Sequence, residues 1–186
     1  MRVISGKAKG LKLIPPNDMK VRPTTDRIKE AILSAIQTDI YESTVLDLFA
    51  GTGGLGIEAL SRGASKVYFV DNSKESIKLI NDNLNKTKLF EDAEVLFMDA
   101  TLAISKLARE GVTLDIIFLD PPYGKAMIEH IIIELVDNNL VNSNTIIIAE
   151  HEIELTLSEK IKSFYKYKEK KYGNIIISFF RSEEED

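Results

Sequence analysis

The sequence predicts an α/β fold: a doubly wound, mostly parallel sheet of seven strands with an antiparallel last strand, preceded by a small β-hairpin and a helix. Three observations predict it. Five short apolar runs alternate with stretches of helical periodicity. The first of those runs leads directly into a glycine-rich loop, Gly51 to Gly56. The last two strand-like runs flank a turn tripeptide, Tyr172-Gly-Asn174.

The elements follow in order. Arg2–Ser5 and Leu11–Ile14 form the hairpin around Gly6 and Gly10, and Pro15-Pro16 ends it. Thr24 reads as the N-cap of a helix that has Asp26 in its first turn and runs to about Thr38. Strands are expected at Thr44–Phe49, Lys66–Asp71, Glu94–Asp99, Leu114–Asp120 and Asn144–Glu150. They are apolar on both faces, the pattern of parallel strands covered by helices on both sides. Right-handed crossovers then wind the chain over both faces. The helices are Ser73–Leu89, capped by Ser73 and carrying Ile77, Ile80 and Leu84 on one face, then Thr101–Arg109 and Lys125–Val136. Phe164–Lys171 and Ile175–Arg181 close the chain as an antiparallel hairpin whose turn suits Gly173. The acidic tail Glu183–Asp186 is expected to fray.

Composition bounds the function. With 186 residues, one domain is expected, and 44% hydrophobic with 28% charged residues excludes a mostly disordered chain. The lack of cysteine excludes disulfides, thiolate metal sites and cysteine nucleophiles. Two histidines argue against a histidine-built metal cage, so no metal is expected. No apolar run approaches the ~20 residues of a membrane span, and the opening MRVISGKAKG lacks the apolar stretch of a signal peptide. A cytoplasmic protein with no membrane partner is therefore expected. The net charge of −5 is uneven. Residues 1–30 hold eight basic against three acidic side chains, a net +5, which leaves −10 on the other 156. A basic arm on an acidic body points to a polyanionic partner, or else to a plain solvated face.

Two motifs carry chemistry. In the run Asp47-Leu-Phe-Ala-Gly-Thr-Gly-Gly-Leu-Gly56, the glycines 51, 53 and 56 satisfy G-x-G-x-x-G, which lets backbone approach a ligand closely. Asp71 ends the second strand 20 residues after Gly51, the spacing that sets a carboxylate on ribose hydroxyls. Together they mark an adenosine-cofactor site. Asp47 favours S-adenosylmethionine over NAD, because at the strand end it repels a pyrophosphate but pairs with the ammonium of a methionine moiety. The chain also leaves little length for a dehydrogenase's substrate domain. Asp99, at the end of the third strand, is placed to accept from an adenine amino group, to cap the next helix, or both.

The second motif is Asp120-Pro-Pro-Tyr123, at the carboxyl end of the fourth strand, where open α/β sheets bind ligands. The prolines Pro121 and Pro122 fix φ and remove donors, leaving a rigid, acceptor-rich loop. Asp120 and nearby carbonyls can accept both hydrogens of a planar amino group, and the Tyr123 ring can stack on a base. Such an amine is a weak nucleophile because its lone pair is delocalised. Holding both hydrogens turns the lone pair outward, and positioning of this kind is the main catalytic contribution.

These residues resemble the class I S-adenosylmethionine-dependent methyltransferases that modify exocyclic amino groups, a class that also has an antiparallel last strand. More narrowly, Arg2-Val-Ile-Ser-Gly6, Val21-Arg-Pro-Thr-Thr-Asp-Arg27, Leu55-Gly-Ile-Glu-Ala-Leu-Ser-Arg-Gly-Ala64 and Tyr172-Gly-Asn174 are similar to the RsmD family, across residues 1–181. The family methylates guanine N2 in small-subunit (16S) ribosomal RNA. The chain departs from it in carrying Lys9, Leu11 and Lys12 where arginines are usual, losing their bidentate forks, and Thr52 and Gly54 where serine and alanine are common.

The resemblance implies roles. Asp47, Phe49, Ala50, Gly51, Thr52 and Gly53 hold the methionine end of S-adenosylmethionine. Asp71 and Asn72 hold the ribose, and Asp99 with Ala100 the adenine. Asp120, Pro121, Pro122 and Tyr123 grip a guanine that has left its stack. Arg2, Lys7, Lys9, Lys12, Arg22 and Arg27 face 16S rRNA or an assembling small subunit, with Arg22 and Arg27 alternatively pairing with acids of the body. Residues 1–40 then form an RNA-facing extension and 41–186 a catalytic unit, acting as a monomer.

Other readings stand beside it: an N6-adenine methyltransferase of DNA or RNA, an RNA-binding protein without catalysis, and an NAD oxidoreductase. His130 and His151 read as structural. Lys160–Lys171, with six lysines against one glutamate, reads as an extension of an RNA face or as a defended edge strand.

Overall fold

A computed structural model describes residues 1–16, 26–122 and 124–182, with the side chain of residue 125 left aside. Thr24, Arg22, Tyr123 and the tail Glu183–Asp186 therefore lie outside the described residues. The elements run α1 (Asp26–Ala35), β1 (Thr44–Leu48), α2 (Gly54–Ser61), β2 (Lys66–Asp71), α3 (Lys74–Thr87), β3 (Ala93–Phe97), α4 (Ala100–Arg109), β4 (Ile116–Leu119), α5 (Gly124–Asp137), β5 (Ile146–Glu152), β6 (Lys160–Ile161), β7 (Phe164–Tyr172) and β8 (Ile175–Ser182).

One sheet holds every strand, in the order β3-β2-β1-β4-β5-β8-β7-β6. The first five strands pair in parallel, and β8, β7 and β6 pair antiparallel. The seven expected strands are present, and the two-residue β6 adds an eighth on the outer side of β7. Alternation splits the core in two. Val45, Phe69, Ile116, Phe118, Ile148, Ile177 and Phe179 point to one face, under α1, α2 and α3. Leu46, Val70, Ile117, Leu119, Ile147 and Phe180 point to the other, under α4 and α5. Both faces being covered, every residue of β4 is buried, where truncating an Ile or Leu to Ala costs about 2–5 kcal/mol.

Boundaries shift where side chains intervene. β3 stops before Asp99 because that carboxylate caps α4, accepting from Leu102 N at 2.9 Å. β5 starts after Thr145, whose hydroxyl donates to Leu114 O at 2.7 Å inside a turn. β5 reaches Glu152 because β8 pairs with it that far. α3 begins after Ser73, whose hydroxyl accepts from Ser76 N.

The amino-terminal segment forms a single bridge, Arg2 with Lys12, in place of a full hairpin. It is held by side chains of the body. Glu58, fully buried on α2, accepts from Ile4 N at 2.9 Å and Ser5 N at 2.8 Å. Ser61 at the end of α2 accepts from Ala8 N at 2.9 Å and donates to Ser5 O at 2.6 Å. Asn83 of α3 accepts from Ile14 N at 2.7 Å. Gly6, at φ 81°, fits only because it lacks a Cβ, which would sit 1.8 Å from Ser61 O. Val3, Ala8 and Leu13 are buried in the same cluster as Val45 and Ile116. Lys29, counted above with the basic arm, is withdrawn from the surface: it is fully buried, 3.3 Å from Glu58 and bonded to Arg2 O. Arg62 completes the cluster, 3.2 Å from Glu58.

Candidate active site

The site forms where the strand ends meet. Leu48, Val70, Leu119 and Ala149 share one level across β1, β2, β4 and β5. One residue further, Asp71, Phe49, Asp120 and Glu150 stand side by side, and Asp47 lies two levels below that row, beside Phe69 and Phe118. Parity puts the four acids on the face covered by α1 and α2.

The loop after β1 is shaped by backbone. Phe49 takes φ 71°, a conformation rare for a bulky residue, while the N–H groups of Phe49 and Ala50 both donate to Val70 O, at 3.0 and 2.9 Å. Gly51, also left-handed, donates to Asp71 Oδ2 at 2.9 Å. Asp71 Oδ1 accepts from Ser73 N at 2.9 Å. Asp71 thus ties the loop to β2 and keeps lone pairs for a ligand hydroxyl. Gly56 lets α2 lie against β2, since an added Cβ there would meet the Phe69 ring at 2.3 Å. Its N–H donates to Asp47 Oδ2 at 3.0 Å, at the positive end of α2.

Over these strand ends lies a cavity of about 520 Å³, within the range that encloses cofactor-sized ligands. Of the expected cofactor residues, Asp47, Phe49, Ala50, Gly51, Thr52, Asp71, Asn72, Asp99 and Ala100 line it. Gly53 does not; it starts α2 in the left-handed region, packed on Ile57 and Phe69. Of the expected catalytic residues, Asp120 and Pro122 line the cavity, whereas Pro121 is buried away from it. Asp99 lines the cavity while capping α4, so its two expected placements coexist.

Sequence reasoning missed other walls. Met1, Pro16 and Lys29 close one side from the amino-terminal segment and α1. Glu75, Ser76 and Leu79 form another from the first turns of α3, at the 3–4-residue spacing that gave the signal for it. Phe118 and Met127 form the floor near Asp120. No local signal singles out Lys29.

The electrostatics are one-sided. Asp47, Asp71, Glu75, Asp99 and Asp120 face the cavity against Lys29, which is already paired with Glu58. Burial pushes the Asp47 carboxyl up to about 7, partly offset by the Gly56 N–H and reinforced by Asp120 and Asp71. Asp120 keeps solvent contact through the cavity mouth, yet the surrounding protein and then the charge of Glu150 push it up to about 7. Carboxylates so raised hold a surplus of negative potential that a cation relieves. A Cβ added at Gly51 would enter open space, leaving room for a ligand against the loop backbone. The residues therefore fit S-adenosylmethionine, which is cationic at sulfur and at its ammonium.

Among the exposed basic residues, Arg2, Lys7, Lys9, Lys12 and Arg27 all reach solvent, and Arg27 makes no ion pair among the described residues. His151 is buried, bonded through Nε2 to Ser178 Oγ at 2.9 Å; burial lowers its pKa, keeping it neutral. His130 is exposed, 3.4 Å from Glu134. Neither histidine reaches the cavity. No helix among the described residues is long and apolar enough to cross a membrane.

Comparison with known proteins agrees with this geometry. The chain is 35% identical over 181 residues to the putative rRNA methyltransferase YlbH of Bacillus subtilis, covering 97% of this chain and 98% of that one. It is 32% identical over 183 residues to ribosomal RNA small subunit methyltransferase D of Escherichia coli, covering 98% and 90%. The solved structure of the putative methyltransferase yhhF from Escherichia coli superposes with a TM-score of 0.86 at 31% identity, covering 100% of this chain and 99% of that one. The family described as Conserved hypothetical protein 95 matches residues 1–181. With a methyltransferase fold, an acidic cofactor cavity and a match along nearly its whole length, the chain belongs to that family, the RsmD methyltransferases.

Proposed function

We propose that this protein transfers a methyl group from S-adenosylmethionine to the exocyclic N2 amino group of a guanine in 16S rRNA of the small ribosomal subunit. The observation that carries the reading is the placement of Asp120, at the mouth of the acidic cavity and in one row with Asp71 and Glu150. The printed names of the relatives support RNA as the substrate class.

When bound, S-adenosylmethionine supplies a methyl group on a cationic sulfur. The chain supplies the rest. Asp47 and the loop from Phe49 to Thr52 hold the methionine end. Asp71 with Asn72 holds the ribose, and Asp99 with Ala100 the adenine edge. Asp120 accepts an amino hydrogen of the guanine and turns the nitrogen lone pair towards the cavity. The proton released as the amine is methylated passes to Asp120, whose carboxyl near 7 suits a group that accepts and then gives up a proton at neutral pH. Tyr123, by its place in the motif, stacks on the base. Arg2, Lys7, Lys9, Lys12, Arg22 and Arg27 draw the RNA backbone towards the extension 1–40, while 41–186 carries catalysis. The protein works as a cytoplasmic monomer.

The test is Asp120→Ala with labelled cofactor and small subunits from cells lacking the gene. The variant binds S-adenosylmethionine in calorimetry and loses methyl transfer by at least about a hundredfold; full activity overturns the reading. In the wild type, transfer rises with pH through about 7 as Asp120 loses its proton. Label appearing at adenine N6 in place of guanine N2 moves the substrate assignment to the other amino-methyltransferase class.

A further inference from the structure

The second half of the chain holds a basic region equal in charge to the arm. Residues 160–174 contain six lysines and one glutamate, a net +5. Setting both regions aside, the remaining residues carry −15, so these two patches are the places where a polyanion meets attraction.

Within this region the lysines divide. Lys166 is spent on Glu159 at 2.8 Å and Glu169 at 3.1 Å, and Lys162 on Asp137 at 3.2 Å. Lys168, Lys170 and Lys171 make no ion pair among the described residues. Lys168 lies over the Phe179 ring at 5.5 Å, and Lys171 is exposed. All three fall in the last half of β7, where β6 no longer pairs with it.

The register places Lys168 and Lys170, paired with Phe179 and Ile177, on the face of the site, whereas Lys171, paired with Ile176, points to the other face. β7 runs in the same direction as β4 and β5, so its end lies on the carboxyl edge of the sheet. Asp120 stands beside Glu150, Glu150 pairs with Ile177, and Ile177 pairs with Lys170. Lys170 is thus in one row with Asp120, on the same face, three strand spacings or about 14 Å away. The arm flanks the cavity on the other side, over α2 and α3. Its tip is further from the chemistry: Lys7 N donates to Ser61 O at the far end of α2, one helix length or about 12 Å from the loop.

We propose that Lys168 and Lys170 form a second phosphate-contacting strip for RNA, on the flank of the cavity opposite the arm, so that the strand carrying the target base is held on both sides. This rests on the reading of the protein as an RNA methyltransferase. Lysines on backbone phosphates give affinity without sequence preference. The strip therefore fixes how RNA crosses the site and leaves the choice of base to the Asp120 loop.

The experiment measures binding of full-length 16S rRNA transcript to the intact protein over a range of salt. Each phosphate contact contributes about 0.7–0.9 to the slope of log affinity against log salt. K168Q/K170Q lowers the slope by about 1.5 and weakens binding several-fold at low salt, while S-adenosylmethionine affinity stays at the wild-type value. An unchanged slope in this variant overturns the strip. An equal fall per lysine in K86Q/K88Q, at the end of α3 away from its cavity-lining first turns, also overturns it, since overall charge then explains the effect. Wild-type protein that neither binds the transcript nor methylates small subunits overturns the underlying methyltransferase reading as well, which separates the two failures.

Discussion

The amino-terminal arm and the β7–β8 hairpin carry the same kind of charge and are held in opposite ways. The hairpin is held by a backbone ladder from Phe164–Ser182 to Tyr172–Ile175, and its lysines contribute little to that. The arm closes on itself through backbone bonds such as Val3 N to Leu11 O and Gly10 N to Val3 O, but what fastens it to the body is, apart from the Lys7 N–H on Ser61 O, a set of side chains: Glu58, Ser61 and Asn83. A ladder tolerates almost any side chain, whereas a segment pinned by three side chains depends on each of them. The difference teaches that equal basic charge can be backed by very different structural tolerance. It also explains why the arm, which walls the cavity through Met1 and Pro16, is coupled to the site while the hairpin is only adjacent to it.

Glu58→Ala is the strongest way to break the comparison. It strands the buried Lys29 ammonium and frees the Ile4 and Ser5 N–H groups together. A loss of about 3–5 kcal/mol is expected in urea unfolding, since removing one partner leaves an uncompensated buried charge. Gly6→Ala comes next. Its Cβ collides with Ser61 O at a left-handed φ, costing about 1–3 kcal/mol and releasing the arm's turn. Limited proteolysis then cuts within the first 16 residues. If either variant matches the wild type in stability, the arm is not pinned as described.

The parts of this fold legible in the sequence were those set by local pattern. Ser73 was readable as a cap because a serine before an amphipathic run has one favoured use, and it does accept from Ser76 N. Asp71 was readable from its spacing to Gly51, and the two are bonded. Lys29 was not, because its burial depends on Glu58, which lies on another helix and is itself satisfied by a third segment. Nothing within ten residues of Lys29 marks it as different from Arg27, which stays at the surface. Glu150 was missed as a neighbour of Asp120 for the same reason: their adjacency is a property of the β4–β5 register. β6 was missed because a two-residue strand has no period to detect.

Asp47→Asn sharpens the comparison from the cavity side. The amide oxygen keeps the Gly56 hydrogen bond while removing the charge. The wild-type carboxyl is near 7 when folded, against 3.8 in a free chain. The folded state therefore holds the proton more tightly, and stability contributed by the group is full below about 3.8 and is lost progressively as pH rises from there through 7. Asn removes that loss. In urea unfolding without cofactor, the variant should gain a few kcal/mol over the wild type at pH 8 and a smaller amount at pH 5, where the loss is only partly developed. Its S-adenosylmethionine affinity should fall about tenfold or more. A wild type whose stability does not decline across this range means that Asp47 is ionised without a cation, and the cavity is then less acidic in effect than its lining suggests.

The smallest expected effect lies in the hairpin. Lys170→Gln should leave the unfolding free energy within about 0.5 kcal/mol of the wild type, as surface changes away from packed or paired groups do. Lys170 sits on a strand whose β8 ladder is intact through Tyr172, and it makes no ion pair among the described residues. A near-zero stability change beside a lowered salt slope would separate what Lys170 does for RNA from what it does for the fold. Glu58 allows no such separation, because any change there alters the arm, the cavity wall and the stability together. A large loss from Lys170→Gln would mean that the hairpin, too, is held by its side chains, and the contrast between the two basic regions would fail.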